Sequence, residues 1–247
     1  MAPSIQWQIA TIAGVRVETP TVKTFALKLP SWMRHRAGQH YDVRLTAPDG
    51  YQAQRSYSIA SAPESEGQVE LTVERIDDGE VSSYLHEVPV VGDLVEVRGP
   101  IGGYFVWDAA QGGPLFLIAG GSGIVPLMAI LRHRAAVKSH VPARLLYSAR
   151  SADDLIYREE LDRLATDGSG LEAFYTLTRN QPAGWTGYSR RIDAAMLREV
   201  AGPSGPSPLV FICGPTLLVE AVANGMVQVG VPEGRIKTER FGPSGSG

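Results

Sequence analysis

The stretch from Leu115 to Leu131 constrains this chain more than any other. It reads Leu-Phe-Leu-Ile-Ala, then Gly120-Gly121-Ser122-Gly123, then Ile124-Val125-Pro126-Leu-Met-Ala-Ile-Leu. An apolar run of strand length breaks into a loop too glycine-rich to carry side-chain contacts, and Pro126 then opens an apolar segment of helical length. Strand, tight turn and helix in that order bring backbone N–H groups and the positive end of a helix dipole to one place, whose natural guest is an anion, most often a phosphate. Two other readings stay open on this string alone. A glycine turn can be purely structural, and the dinucleotide fingerprint wants a third glycine where Pro126 stands. No charge occurs from Ala109 to Leu131, a length that suits a membrane span, but the central glycines and the prolines at 114 and 126 argue against one. Arg132, His133 and Arg134 close the segment, where cations suit the negative end of the dipole.

On either side of residue 107 the rhythm of the chain differs. From Ile5 to about Gly103, apolar runs at 7–18, 22–29, 41–46, 55–60, 69–76 and 94–98 follow one another at short spacings. Val69-Glu70-Leu71-Thr72-Val73-Glu74 alternates cleanly, with one face buried and one wet. One brief helix, 82–88, interrupts them. This pattern predicts an N-terminal antiparallel six-stranded β-barrel over 1–107. From Leu115 on, strands at 115–119, 144–148, 171–177, 208–213 and 235–239 alternate with helices at 124–136, 157–166, 192–200 and 216–228. That alternation predicts a C-terminal α/β domain over 108–247, a parallel sheet with helices on both faces. The Ser-Gly tail from Ser244 reads as floppy.

Composition narrows the function classes. A length of 247 residues is comfortable for two domains, and a formal net charge of −3 gives no electrostatic reason to expect nucleic acid or an anionic membrane as partner. The N-terminus lacks the basic, apolar and small-residue order of an export signal, so a cytoplasmic protein with no membrane span is expected. A single cysteine, Cys213, excludes an internal disulfide and a cysteine-ligated iron–sulfur cluster. No residue pattern suggests a metal site.

Ligands of a parallel sheet bind beyond the carboxyl ends of its strands. The first strand is followed by Gly120 to Gly123. The second is followed by Ser148-Ala149-Arg150, where a dinucleotide fold commonly places an acid for the adenosine ribose; a serine and a guanidinium there suit a 2′-phosphate instead and favour NADPH over NADH. Arg150 is equally readable as a solvated loop residue, and Asp153 and Asp154 close behind count against the phosphate reading. Arg179, Arg190 and Arg191 offer further cations without an assigned role. Cys213-Gly214-Pro215 ends the fourth strand, with Cys213 either a small buried hydrophobe or a neighbour of the nicotinamide. In the barrel half, Arg55-Ser56-Tyr57-Ser58 offers a cation for pyrophosphate, an aromatic face and a hydroxyl, the three requirements of a flavin. Gly79-Glu80-Val81-Ser82-Ser83 reads as a serine N-cap and a second phosphate seat. Arg34-His35-Arg36 is a charged surface loop or a dock for an acidic redox partner.

Together these pieces resemble the ferredoxin–NADP reductase superfamily of flavoproteins, in particular the FAD and NAD(P) modules of flavohaemoglobins and oxygenase reductases. Gly38-Gln39-His40 is similar to the family's strand entry, Arg55 to Ser58 to its flavin motif, Gly79 to Ser82 to its flavin pyrophosphate turn, and Gly120 to Pro126 to its NAD(P) pyrophosphate loop. Cys213-Gly214-Pro215 is similar to the nicotinamide-site motif, and Glu239-Arg240-Phe241-Gly242-Pro243 to the ending of flavohaemoglobin-like members. The resemblance implies that Arg55 binds the FAD pyrophosphate, Tyr57 packs on the isoalloxazine, Ser58 hydrogen-bonds near flavin N5, and Gly79, Val81 and Ser82 contact the phosphates, with Val73 added to the flavin contacts. It implies that Gly120, Gly121, Ser122 and Gly123 hold the NAD(P) pyrophosphate, that Cys213, Gly214, Pro215 and Glu239 lie near the nicotinamide, and that Phe241 lies beside the flavin. Ser58, Cys213 and Glu239 would then attend hydride transfer from nicotinamide to flavin N5 in a cleft where the two rings meet. Position 125 is Val where relatives often carry Thr or Ser, which removes one hydroxyl contact. The fused ferredoxin or globin domain of many relatives is missing from the motif string, so electrons are expected to pass to an external redox protein. Two alternatives stand beside this reading: an NAD(P)H:flavin reductase using flavin as a diffusible substrate, and a non-catalytic subunit that senses flavin or NAD(P)H.

Overall fold

The computed structural model describes residues 5–202 and 207–241. The tail from Ser244, and with it Gly242 and Pro243, lies outside the described residues. The chain divides into two compact units, Met1–Trp107 with Met128–Ala136, and Asp108–Leu127 with Val137–Gly247.

The first unit holds β1 (Trp7–Thr19), β2 (Val22–Lys28), β3 (His40–Thr46), β4 (Gln52–Ser58), β5 (Gln68–Glu74), helix α1 (Glu80–Glu87) and β6 (Leu94–Ile101). The strands form one six-stranded antiparallel sheet in the order β4-β3-β6-β1-β2-β5. Just past β4 the Ile59–Leu71 bridge and the bond from Ala60 N–H to the Glu70 carbonyl (2.8 Å) bring the two edges together, so the sheet closes on itself and leaves little unpaired edge. Strand β1 serves two neighbours, pairing with β6 through Trp7 to Thr11 and with β2 through Thr11 to Thr19. A register shift between Ile12 and Gly14 supplies the bend this requires. The apolar face read in β5 is borne out: Val69, Leu71 and Val73 enter a core with Ile12, Phe25, Tyr41, Val43 and Val97, together with Val81 and Leu85 of α1. The other face is not uniformly wet, since Thr72 is buried with its hydroxyl 2.7 Å from that of Thr24.

The second unit holds β7 (Leu115–Gly120), β8 (Ala143–Ala149), α3 (Arg158–Thr166), β9 (Leu171–Leu177), α4 (Ala194–Ala201), β10 (Leu209–Pro215), α5 (Thr216–Gln228) and β11 (Ile236–Phe241), while α2 (Ile124–Ala136) begins in it and ends among residues that belong to the first. Its five strands are parallel in the order β11-β10-β7-β8-β9. Central β7 is buried along its whole length, as the uninterrupted apolar run demands. Phe116, Ile118, Leu146, Phe174, Val210 and Ile212 pack with α4 and α5 on one face. Tyr175, next to Phe174 and therefore on the opposite face, donates to Asp162 of α3 at 2.8 Å, so helices cover both faces. No helix among the described residues is long and apolar enough to cross a membrane.

One element starts differently from its expectation. The brief helix begins at Glu80, not Ser82, and its N-cap is Gly79 with no side-chain cap bond. Ser82 sits inside the first turn, where its hydroxyl donates to the Gly79 carbonyl and accepts from Ile76 N–H, both at 3.2 Å. A Cβ on Gly79 would overlap that hydroxyl and stand 3.1 Å from the Ile76 carbonyl oxygen, so a larger residue there would have to displace the serine. The serine secures the turn from within instead of capping it.

Candidate functional site

Parallel strands deliver their carboxyl ends to one edge of the second unit. Register sets Gly120 beside Ser148, Ser148 beside Thr176, Cys213 between Ala119 and Glu239, and Pro215 beside Phe241. The glycine loop forms a single 3-10 turn that runs straight into α2. Gly121 has φ +53° in open space, a left-handed conformation that favours glycine. Gly123 answers a different constraint. A Cβ there would overlap the Cys213 carbonyl and stand 2.7 Å from Gly214 Cα, while one on Gly214 would stand 3.0 Å from the Gly120 carbonyl oxygen. Two motifs read separately in the sequence are thus one backbone-on-backbone contact, at the helix start that offers N–H groups to an anion.

Cys213 is fully buried. Burial, and then the Glu239 charge, push its thiol well above the ordinary value, so it stays protonated and is no nucleophile. Ser148 is buried at the end of β8, whereas Arg150 is exposed and has no ion-pair partner among the described residues. The Arg150 carbonyl accepts from Arg179 N–H (2.9 Å) and Asn180 N–H (3.1 Å), which brings a second arginine to its side that sequence spacing could not place. Of the two acids behind Arg150, Asp154 is occupied in a capping box, accepting from the Ser151 amide (2.9 Å) and hydroxyl (2.7 Å). Arg190 is committed elsewhere, paired with Asp193 at 2.8 Å, and Arg191 is exposed.

In the first unit, β4 divides its motif between two faces. Arg55 and Tyr57 share one face, opposite Val43 and Tyr41, while Ser56 and Ser58 lie on the other. Arg55 is exposed and pairs with no carboxylate among the described residues; its Nη1 donates to the Gln54 carbonyl at 2.7 Å. Tyr57 packs half-buried against the core, and burial, partly opposed by the Arg55 charge, raises its phenol to about 12. It is therefore a neutral phenol that packs against the core. Ser56 is committed, donating to Asp42 at 2.7 Å beside the Arg98–Asp42 ion pair, and Ser58 is buried. Val81 is buried in the core and can offer only backbone.

The Val73 side chain points into the barrel core and its carbonyl accepts from His86 Nε2 (2.9 Å), so only its backbone is left to meet a ligand. One expectation needs correction. His35 is not part of a surface cluster. It is buried with Nε2 3.0 Å from the Ser61 carbonyl, while neighbouring Arg34 pairs with Glu64 at 2.8 Å. Arg132 and His133, read only as helix-end cations, hold the segment that follows β4. Arg132 donates to the Ala60 carbonyl (2.9 Å) and Glu70 (2.8 Å), and His133 Nδ1 lies 3.0 Å from Glu64. No local sequence signal pointed to these partners.

Residues 10–106 match a family model described as an oxidoreductase FAD-binding domain, and residues 117–224 one described as an oxidoreductase NAD-binding domain. The chain is 35% identical over 243 residues to ferredoxin–NADP reductase B of Sorangium cellulosum, covering 94% of this chain and 96% of that protein. It is 31% identical over 229 residues to the glycine betaine monooxygenase reductase subunit of Chromohalobacter salexigens, covering 91% of this chain but only 61% of that longer relative. A crystal structure of a ferredoxin NADP+ reductase from Neisseria gonorrhoeae with bound FAD and NADP superposes with a TM-score of 0.81, covering 96% and 99% of the two chains. At 23% identity that likeness is one of fold.

Proposed function

Because the chain belongs to the ferredoxin–NADP reductase superfamily, we propose that it draws electrons from NADPH through bound FAD and delivers them to a separate redox protein of the ferredoxin or oxygenase type. Its class is that of the FAD-containing, pyridine-nucleotide-dependent oxidoreductases. When bound, the flavin accepts a hydride from reduced nicotinamide and can release the two electrons singly. Everything else is the work of the chain's own groups.

In this reading residues 1–107 hold FAD and residues 108–247 the nucleotide. The exposed, carboxylate-free guanidinium of Arg55 takes the flavin pyrophosphate with the backbone of Gly79 and Val81, Ser82 keeping that turn in shape. Tyr57 supports the ring system and Ser58 lies next to it. The Gly120 to Gly123 turn takes the nucleotide pyrophosphate. Cys213, Gly214, Pro215, Glu239 and Phe241 border the nicotinamide side, where a neutral thiol fills space without adding charge and a carboxylate two strands from Gly120 orients the ring. Ser148 and Arg150, with Arg179 alongside, favour a 2′-phosphate and hence NADPH. The observation that carries the reading is the contact of Gly123 on the Cys213–Gly214 backbone, a cradle that any Cβ would fill. One buried cysteine cannot ligate an iron–sulfur cluster, so any such centre that takes the electrons lies outside these residues.

Gel filtration followed by anaerobic mixing with NADPH or NADH tests this. Yellow protein that keeps its flavin and bleaches within seconds is the expected result. Flavin lost on the column, with NADPH oxidation that then depends on added flavin, would make flavin a diffusible substrate. Flavin retained without bleaching would leave a sensor.

A further inference from the structure

One exposed aromatic beside the flavin motif serves neither the pyrophosphate nor the isoalloxazine in the proposed function. Tyr51 directly precedes β4, and strand alternation sets Tyr51, Ala53, Arg55 and Tyr57 along one side of the chain. Tyr51 is 58% exposed, yet its hydroxyl is fixed, sharing its proton between the two carboxylate oxygens of Glu80 in the first turn of α1, each at 3.1 Å. The turn does not need the ring: the Tyr51 amide donates to Asp49 (3.0 Å) and its carbonyl accepts from Ala47 N–H (2.9 Å), and both bonds are backbone at the tyrosine. A ring this exposed with its tip held is ordered at an entropic cost that its partial burial offsets only in part.

The spacing says what would offset it. At the rise of a strand, Tyr51 and Tyr57 are roughly 20 Å apart along the chain with Arg55 between them. The Arg55 charge is felt by both phenols, and Ala53, small and buried, puts no bulk between. Ring, guanidinium, ring is the complement of a molecule built as ring, pyrophosphate, ring. We propose that Tyr51 is a specificity residue that stacks on the adenine of FAD and thereby selects FAD over FMN. This rests on the proposed flavin site and adds to it the recognition of the nucleotide's far end. Base-on-aromatic stacking of this kind tolerates any flat ring, so Trp at this position should serve and Ala should not.

Fluorescence titration of flavin-stripped protein with FAD and with FMN separates the possibilities. Wild type should bind FAD more tightly than FMN; Tyr51→Ala should raise the FAD dissociation constant roughly tenfold and leave that for FMN within about twofold, while Tyr51→Trp keeps the preference. An FAD-to-FMN ratio unchanged in Tyr51→Ala, or an equal loss for both flavins, overturns the assignment and leaves the reductase reading standing. Wild-type protein that binds neither flavin brings down the reductase reading itself, a different result from lost discrimination.

Discussion

The carboxyl edge of the parallel sheet and the β4 strand of the barrel handle, in the proposed function, the two halves of one electron path by opposite means. The sheet edge works with backbone. Gly123 and Gly214 are there because chain lies on chain, Gly120 because Leu218 and Pro215 close over it, and what remains to meet a ligand is N–H groups and a helix start. The β4 strand works with side chains, an arginine and a tyrosine displayed on one face while the serine between them is consumed by Asp42. A backbone site tolerates no added atom and a side-chain site tolerates loss of its own group without collapse. The two should therefore fail differently when mutated.

Gly123→Ala should show the largest effect. Its Cβ has nowhere to go but into the Cys213–Gly214 backbone, an overpacking cost of about 3 kcal/mol or more that lowers the unfolding temperature and abolishes NADPH binding together. Gly121→Ala, in open space two residues away, meets only left-handed strain of about 1 kcal/mol. Calorimetry on the pair sharpens the comparison; equal losses would mean that the turn is not held by contact with Cys213. Arg55→Ala should behave in the other way, raising the FAD dissociation constant by roughly ten- to a hundredfold through loss of a charge-assisted bond while the flavin-free protein melts unchanged. A parallel drop in melting temperature would make Arg55 a structural residue and break the contrast. Arg150→Ala comes next, raising the Michaelis constant for NADPH about tenfold and leaving that for NADH in place. Equal effects on both nucleotides would reduce Arg150 to a shaper of its loop.

The same contrast explains what the sequence made legible. The strands and helices of both units could be read closely because each carries its own period: Val69 to Glu74 alternates, and Leu115 to Ala119 is apolar throughout, as a central parallel strand must be. The glycine turn and Cys213-Gly214-Pro215 could each be found, but not that they touch, since a contact between distant segments leaves no local trace. Gly79 misled for a related reason. A serine three residues on looked like the cap, yet the glycine itself occupies that position and the serine braces it from inside the turn. His35 misled because two flanking arginines make any histidine look solvated, and only the fold turns the middle residue of Arg34-His35-Arg36 inward.

The smallest predicted effect concerns protons. Burial holds His35, His40 and His86 below the ordinary histidine value, against weaker opposing contributions from the Ser61 carbonyl and Glu64 at His35, from Asp42 at His40, and from the Val73 carbonyl at His86. All three belong to the first unit, whereas the glycine edge of the second has no histidine among the residues that form it. A group whose folded value is depressed is neutral in the native state while the unfolded chain still takes up a proton near 6.5, so its contribution is complete above that pH and is lost as pH falls through the folded value. Each such histidine adds a slope of at most about 1.4 kcal/mol per pH unit. Acidification from pH 7 toward 5.5 should therefore loosen the barrel, and flavin retention with it, before it touches nucleotide binding at the sheet edge. His35→Gln keeps an amide able to donate to the Ser61 carbonyl and removes one titrating group, so urea unfolding followed across that interval should show a shallower slope than wild type. An unaltered slope would mean that His35 titrates alike in folded and unfolded chains, and the acid sensitivity would then have to come from His40 and His86 alone.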